Sequence, residues 1–174
     1  MMNKLLAIIA LLTLAACQKE DLPPEEEKEE INEPVSGNGV VYNVNTAVML
    51  NLINEARTKG CTCGSTVMPP VPAVKWNDKL SKAAYLHSSD MNANNYFSHT
   101  GLNGSDPGQR ITAQGFTWAA YGENIARGQR SETEVMEGWL KSEGHCKNIM
   151  NPNFTYVGAG KSGDYWTQNF GKPR

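Results

Sequence analysis

The chain reads as an α+β domain in which helices pack on a mainly antiparallel sheet. Three observations predict this. Two stretches in the first half carry apolar residues at three- and four-residue steps, a capping-box pattern opens another helix near residue 131, and the last 21 residues hold two β-branched and aromatic runs separated by turn residues. About 140 residues follow an N-terminal segment of quite different composition, enough for one domain with a sizeable core.

The N-terminal segment reads as export machinery. Lys4 supplies a positive end, Leu5 to Leu14 an apolar stretch, and Leu14-Ala15-Ala16-Cys17 a small-residue cleavage site ending in cysteine. The stretch is too short for a transmembrane helix, which needs roughly 20 apolar residues. The pattern resembles a bacterial lipobox, so residues 1–16 are expected to leave and Cys17 to carry lipid; stable anchoring takes more than one acyl chain. Residues 17–44 then form an acidic, disordered tether. Between residues 18 and 34 eight acids face two lysines, with Pro23, Pro24 and Pro34 and almost nothing apolar to offset conformational entropy. Gln18-Lys19-Glu20-Asp21 resembles the lysine-plus-acids signal of some bacterial lipoproteins displayed on the outer face of the outer membrane. A cell-envelope location, as an outer membrane lipoprotein with the domain surface exposed, is the resulting expectation.

Within the domain, residues 45–174, Asn45 and Thr46 cap a helix whose apolar positions are Val48, Met49, Leu52, Ile53 and Ala56. Arg57 and Lys59 stand in its last turn and Gly60 stops it. Cys61 to Pro72 reads as a loop because Pro69, Pro70 and Pro72 oppose regular structure. Asn77 and Asp78 cap a second helix with Leu80, Ala83, Ala84, His87 and Met91 on one face. His87 on that stripe is expected to be a hydrogen-bonded core residue rather than a ligand. Asn94 to Ser105 is loop, and Asp106-Pro107 starts a short helix closed by Gly115. A strand covers Tyr121 to Ala126. Ser131-x-x-Glu134 opens a helix with Val135, Met136, Trp139 and Leu140 inward, ended by Gly144. Phe154 to Gly158 and Tyr165 to Phe170 form a hairpin. Trp118, Trp139 and Trp166 are assigned to the core.

The whole chain carries −2 and the tether alone −6; with Lys4 set aside, residues 35–174 carry +3. So weak a field, with no lysine-arginine stripe, excludes a nucleic-acid partner. Beyond Cys17 there are three cysteines, and outside the cytoplasm one pair can bridge. Cys61 and Cys63 share the short segment Gly60-Cys61-Thr62-Cys63-Gly64, and a bond between such near neighbours is strained. Either is therefore a candidate to pair with Cys146, closing a loop worth about 4 kcal/mol in the loop-entropy description.

Two of the three histidines and one carboxylate occupy Gly- and Ser-flanked turns: Tyr96-Phe97-Ser98-His99, Gly122-Glu123-Asn124-Ile125 and Ser142-Glu143-Gly144-His145. Turns carry function more often than core does. His99, Glu123 and His145 are the ligand types of an open zinc site, although no His-Glu-x-x-His helix brings them together by spacing. Ser98, Asn124, Ser142 and Tyr165 are candidates to line the same cleft. No Gly-x-Ser-x-Gly elbow or Ser-His-Asp order is present, and no organic cofactor is expected.

The ordered series Asn54-Glu55-Ala56-Arg57, Trp76-Asn77-Asp78-Lys79-Leu80, Tyr96-Phe97-Ser98-His99, Gly122-Glu123-Asn124-Ile125-Ala126, Trp139 to His145, Asn148-Ile149-Met150 and Tyr165 to Gly171 closely resembles bacterial members of the CAP superfamily. That superfamily holds the cysteine-rich secretory proteins, venom antigens and pathogenesis-related proteins. The resemblance implies a three-layer α-β-α sandwich with a central cleft, where many members gather two histidines and two acids able to hold a divalent cation such as Zn2+. It carries His99, Glu123 and His145 into that cleft. The chain departs from the pattern twice: Tyr165 stands where animal and plant members have a histidine, and the second acid aligns near Ser142. The missing nucleophile favours a binding or interaction module with an envelope or host-surface partner, and the resemblance adds a small lipid or sterol as a ligand. The alternative is a metal-dependent hydrolase, peptidase or esterase, using His99, Glu123 and His145. Cys146 as a nucleophile beside His145 is a third route.

Overall fold

A computed structural model describes residues 40–174, so the signal peptide, lipidation at Cys17 and most of the tether lie outside the described residues. The described residues start before the predicted Asn45. Strands β1 (Val40–Val41) and β2 (Val44–Asn45) form an antiparallel hairpin turning through Tyr42 and Asn43, both at positive φ. Lys161 N–H donates to Tyr42 O at 3.0 Å and Val44 is fully buried, so residues 40–44 belong to the domain rather than to the tether.

Helix α1 (Thr46–Lys59) forms as predicted, with Asn45 Oδ1 accepting from Val48 N at 3.1 Å and Gly60 at φ 76° ending it. Arg57 stands in the last turn as expected, but not as a solvated cation. It is fully buried and donates to four carbonyls, Pro72 (2.8 Å), Ile149 (2.6 Å), Asn151 (3.0 Å) and Phe154 (3.1 Å). One guanidinium thus ties the end of α1 to two distant turns.

The predicted loop after Gly60 contains a second hairpin, β3 (Cys61–Cys63) with β4 (Thr66–Met68), and the prolines act only beyond it. A two-residue strand β5 (Lys75–Trp76) follows. Helix α2 (Asp78–Asn94) has Asn77 as cap and buries Leu80, Ala83, Ala84, His87 and Met91, the stripe read from spacing. Helix α3 (Pro107–Ala113) starts with a complete capping box between Asp106 and Gln109. Strand β6 (Trp118–Arg127) leads to α4 (Glu132–Lys141), where Ser131 accepts from Glu134 N at 3.2 Å. Gly144 does not end that helix. Ser142, in extended conformation, breaks it, and Gly144 lies inside a further helix, α5 (Glu143–Ile149). Strands β7 (Tyr156–Ser162) and β8 (Tyr165–Pro173) close the predicted hairpin around Gly163 and Asp164.

The main sheet has the order β5-β7-β8-β6, antiparallel except for β5 with β7. Pleating sends alternate residues to opposite faces. One face of the hairpin carries Val157, Ala159, Trp166 and Phe170, packed with Met49, Ile53, Val135, Trp139 and Ile149 of α1, α4 and α5. The other face is made for close approach: a Cβ on Gly158 would lie 2.2 Å from Ser81 N and one on Gly160 2.4 Å from Tyr85 Cα. Helix α2 therefore rests directly on β7, and Ser88 Oγ meets Thr167 Oγ1 at 2.8 Å beside it. The predicted α-β-α sandwich is the result. Trp139 and Trp166 are core, whereas Trp118 is half-buried against Tyr121.

Candidate functional site

Strand β6 is an outer strand of the described sheet, and its adjacent residues Glu123 and Asn124 point to opposite faces. Each holds one histidine. Glu123 faces the α2–α3 side, where Oε1 meets His99 Nδ1 at 2.8 Å and Oε2 accepts from Arg110 at 2.8 Å. Its neighbour across the β6–β8 register is Asn169, which donates to Glu123 Oε2 at 3.2 Å in the amide orientation that also satisfies Ala84 N. Only 2% of the Glu123 side chain and 11% of Arg110 is exposed, against 52% of His99. Arg110 also donates to the carbonyls of Ser105 (2.8 Å) and His99 (2.9 Å), fastening the loop to the carboxylate. His87 Nε2 meets Ser98 O at 2.8 Å from below, which gives that histidine the structural role expected of it. Its Nδ1 has no partner.

Asn124 works through the backbone on the other face. Its amide donates to His145 O at 3.2 Å and to Gln168 Oε1 at 2.9 Å, and its oxygen accepts from Asn148 at 3.0 Å. Side chains from α4 and α5 also occupy carbonyls of β6: Trp139 Nε1 donates to Ile125 O (3.2 Å) and Asn148 to Glu123 O (3.1 Å). The His99 loop and α5 therefore meet around β6, with a cleft of about 570 Å³ between them. His99, His145, Ser98 and Ser142 line it together with Phe97, Trp139 and Arg127. The Ser142 side chain makes no capping bond at α5. Burial, and then the proximity of His99, holds the His145 imidazole below its ordinary value.

Four predicted residues thus share one cleft, and three take other places. Glu123 lies behind His99 as its orienting carboxylate. Asn124 is fully buried as a clamp on the His145 backbone. Tyr165 is 3% exposed beneath the Arg127 guanidinium, 4.6 Å from its ring centre, with its hydroxyl 3.3 Å from Asn95 Oδ1. It does not line the cleft. Among the described residues, His99, Glu123 and His145 do not form a convergent three-ligand set; the three sulfurs of Cys61, Cys63 and Cys146 are the group that does converge. A cation in the cleft would be held by His99 Nε2 and the His145 ring, with Glu123 on the far nitrogen of His99, the carboxylate–histidine arrangement that orients metal ligands. The acid next to Ser142 is absent from the cleft, since Glu143 pairs with Lys147 and packs on Gly64.

Cys146 is bonded to Cys63, which chooses between the two predicted partners and removes Cys146 as a nucleophile. The cross-link fixes α5 one residue from His145. Arg110, Asn148 and Gln168 escaped the sequence reading. Asn148 was legible within the Asn148-Ile149-Met150 motif, while nothing local distinguishes Arg110 from a surface arginine.

The pattern of the cysteine-rich secretory protein family matches residues 50–170. The Bacillus subtilis proteins YkwD and YlbC are 45% identical over 96 residues and 37% identical over 97, covering 54% and 56% of this chain. The matches span only 37% and 28% of those longer relatives. An extracellular SCP-domain protein of Bacillus anthracis superposes with a TM-score of 0.64 at 32% identity, over 72% of this chain and 39% of the other. An outer surface protein of Borrelia burgdorferi shares the fold, with a TM-score of 0.62 at 24% identity over 74% of this chain and 92% of its own. With the family pattern matched over most of the domain and the sandwich shared with these structures, the chain belongs to the cysteine-rich secretory protein, or CAP, family.

Proposed function

We propose that the domain is a binding module of the bacterial cell envelope, lipid-anchored at Cys17 in the outer membrane, whose cleft takes a divalent cation such as Zn2+ between His99 and His145. The observation that carries this reading is the pair of imidazoles on one cleft, one of them oriented from behind by a buried carboxylate. The Leu14-Ala15-Ala16-Cys17 sequence supports the anchor. The extracellular and outer-surface relatives support the location. The expected partner is an envelope or host-surface molecule, or a small lipid or sterol that fits the mixed apolar and polar walls of the cleft.

A hydrolase would need, beside any cation held by His99 and His145, a residue free to accept a proton. Glu123, with both oxygens engaged and its side chain 2% exposed, is poorly placed for that work. This favours binding over turnover. A calorimetric zinc titration of the exported protein tests the reading, with wild type beside His99→Ala and His145→Ala and folding checked by circular dichroism. Stoichiometric binding lost in each folded variant supports it. Binding that survives both substitutions, or absence of binding to wild type, refutes the cation site.

A further inference from the structure

The sulfur cluster lies outside the cleft and has more members than a structural bridge needs. Side chains at i and i+2 of a strand share a face, so β3 turns Cys61 and Cys63 toward α5 together. Cys63 is bonded to Cys146, and the Cys61 sulfur stands 3.6 Å from Cys146 Sγ and 3.9 Å from Cys63 Sγ. Cys63 and Cys146 are fully buried, while Cys61 is half-buried at the rim.

We propose that these three sulfurs form an exchangeable set with two disulfide isomers, and that the isomer decides whether the domain presents a thiol to solvent. In the exchange, the Cys61 thiolate attacks Cys146 Sγ, a Cys61–Cys146 bond forms, the Cys63–Cys146 bond breaks and Cys63 leaves as thiolate. A proton leaves Cys61 at the start and one is taken up by Cys63 at the end. The reaction is redox-neutral and needs no outside reagent. Because Cys61 lies almost equally far from both partners, it sits beside the bond rather than in line with it, and exchange waits on rotation of its side chain.

Loop closure does not choose between the isomers: the bridges span 83 and 85 residues, a difference with negligible effect on chain entropy. The choice rests on which sulfur is better left as a thiol. Reduced cysteine buries well, so a thiol at Cys63 is tolerated in the core. Either isomer keeps α5, and with it His145, cross-linked to β3. The thiol moves from the rim to the interior as the bond migrates.

The test uses the full exported chain, without added reductant. One portion is labelled with N-ethylmaleimide while folded. A second is acid-quenched, unfolded and then labelled, and fragment spectra of the tryptic peptide spanning Cys61 and Cys63 locate the label. The expected result is label on Cys61 alone in the folded portion and on both Cys61 and Cys63 in the unfolded one, with Cys61→Ser abolishing the second signal. Cys63→Ser is expected to form a Cys61–Cys146 bridge with a melting temperature within a few degrees of wild type. Label confined to Cys61 in both portions would overturn the proposal, and that result stands even if Cys63→Ser fails to fold.

Discussion

Glu123→Gln is the substitution that tests how the site is built. The change is isosteric, yet it removes the charge facing the Arg110 guanidinium and His99 Nδ1, both at 2.8 Å. Because 2% of Glu123 and 11% of Arg110 is exposed, water screens the pair little and cannot replace the lost partner. Breaking a buried ion pair from one side costs about 3–5 kcal/mol, and the retained amide oxygen can still accept one donor, so about 3 kcal/mol is expected. Urea unfolding at pH 7, followed by the fluorescence of buried Trp139 and Trp166, reads this as a midpoint lowered by about 1–3 M for ordinary slopes. Adding Arg110→Met removes the stranded cation, so the double variant is expected to recover about 1–3 kcal/mol of the loss. A Glu123→Gln midpoint within about 0.3 M of wild type would refute the idea that this carboxylate holds the His99 loop.

Arg57→Met leaves four carbonyls without a donor and is expected to cost about 3–5 kcal/mol; Arg57→Lys will not rescue it, because one ammonium cannot span the same fork. Differential scanning calorimetry separates the two expectations from a tolerant site. Burial holds His87 and His145 below the ordinary value of 6.5, so the unfolded chain binds protons that the folded one resists. Stability is therefore full above pH 6.5 and falls as pH drops from there toward the lower folded-state value of each histidine, less for half-exposed His145 than for buried His87. His87→Gln, which keeps a donor for Ser98 O, should reduce that slope in urea midpoints between pH 7.5 and 5, and equal slopes would contradict the assignment. Gly158→Ala drives a Cβ into the backbone of α2 and should cost about 3 kcal/mol or more, whereas Gly144→Ala, in open space on α5, should add about 0.5–1 kcal/mol. Paired urea melts of the two alanine variants check both signs.

The helices were legible because their signals are local. Asn45, Asn77, Asp106 and Ser131 cap the residues next to them, and the stripe from Leu80 to Met91 needs no knowledge of what it packs against. The terminal hairpin was visible for the same reason. The misses have a shared cause as well. Cys61 to Met68 is a hairpin too short to show alternation, and Ser142 breaks α4 from α5 through a backbone angle that serine does not announce.

The fold class, the family and the caps were all legible in the sequence, and its cleft candidates included His99, His145, Ser98 and Ser142, which line the cleft, beside Glu123, Asn124 and Tyr165, which do not. Tertiary structure alone decided the roles within it. That Glu123 stands behind His99 while Asn124 holds His145 depends on which face of β6 each side chain takes, and β6 is covered on both faces, which erases the polar-apolar alternation that would have shown it. That Arg110 is the partner of Glu123, and that Cys146 lies against both β3 cysteines with Cys63 bonded to it, follows from sheet order and helix placement. Those are contacts between residues 13 and 83 positions apart, and no local pattern encodes them.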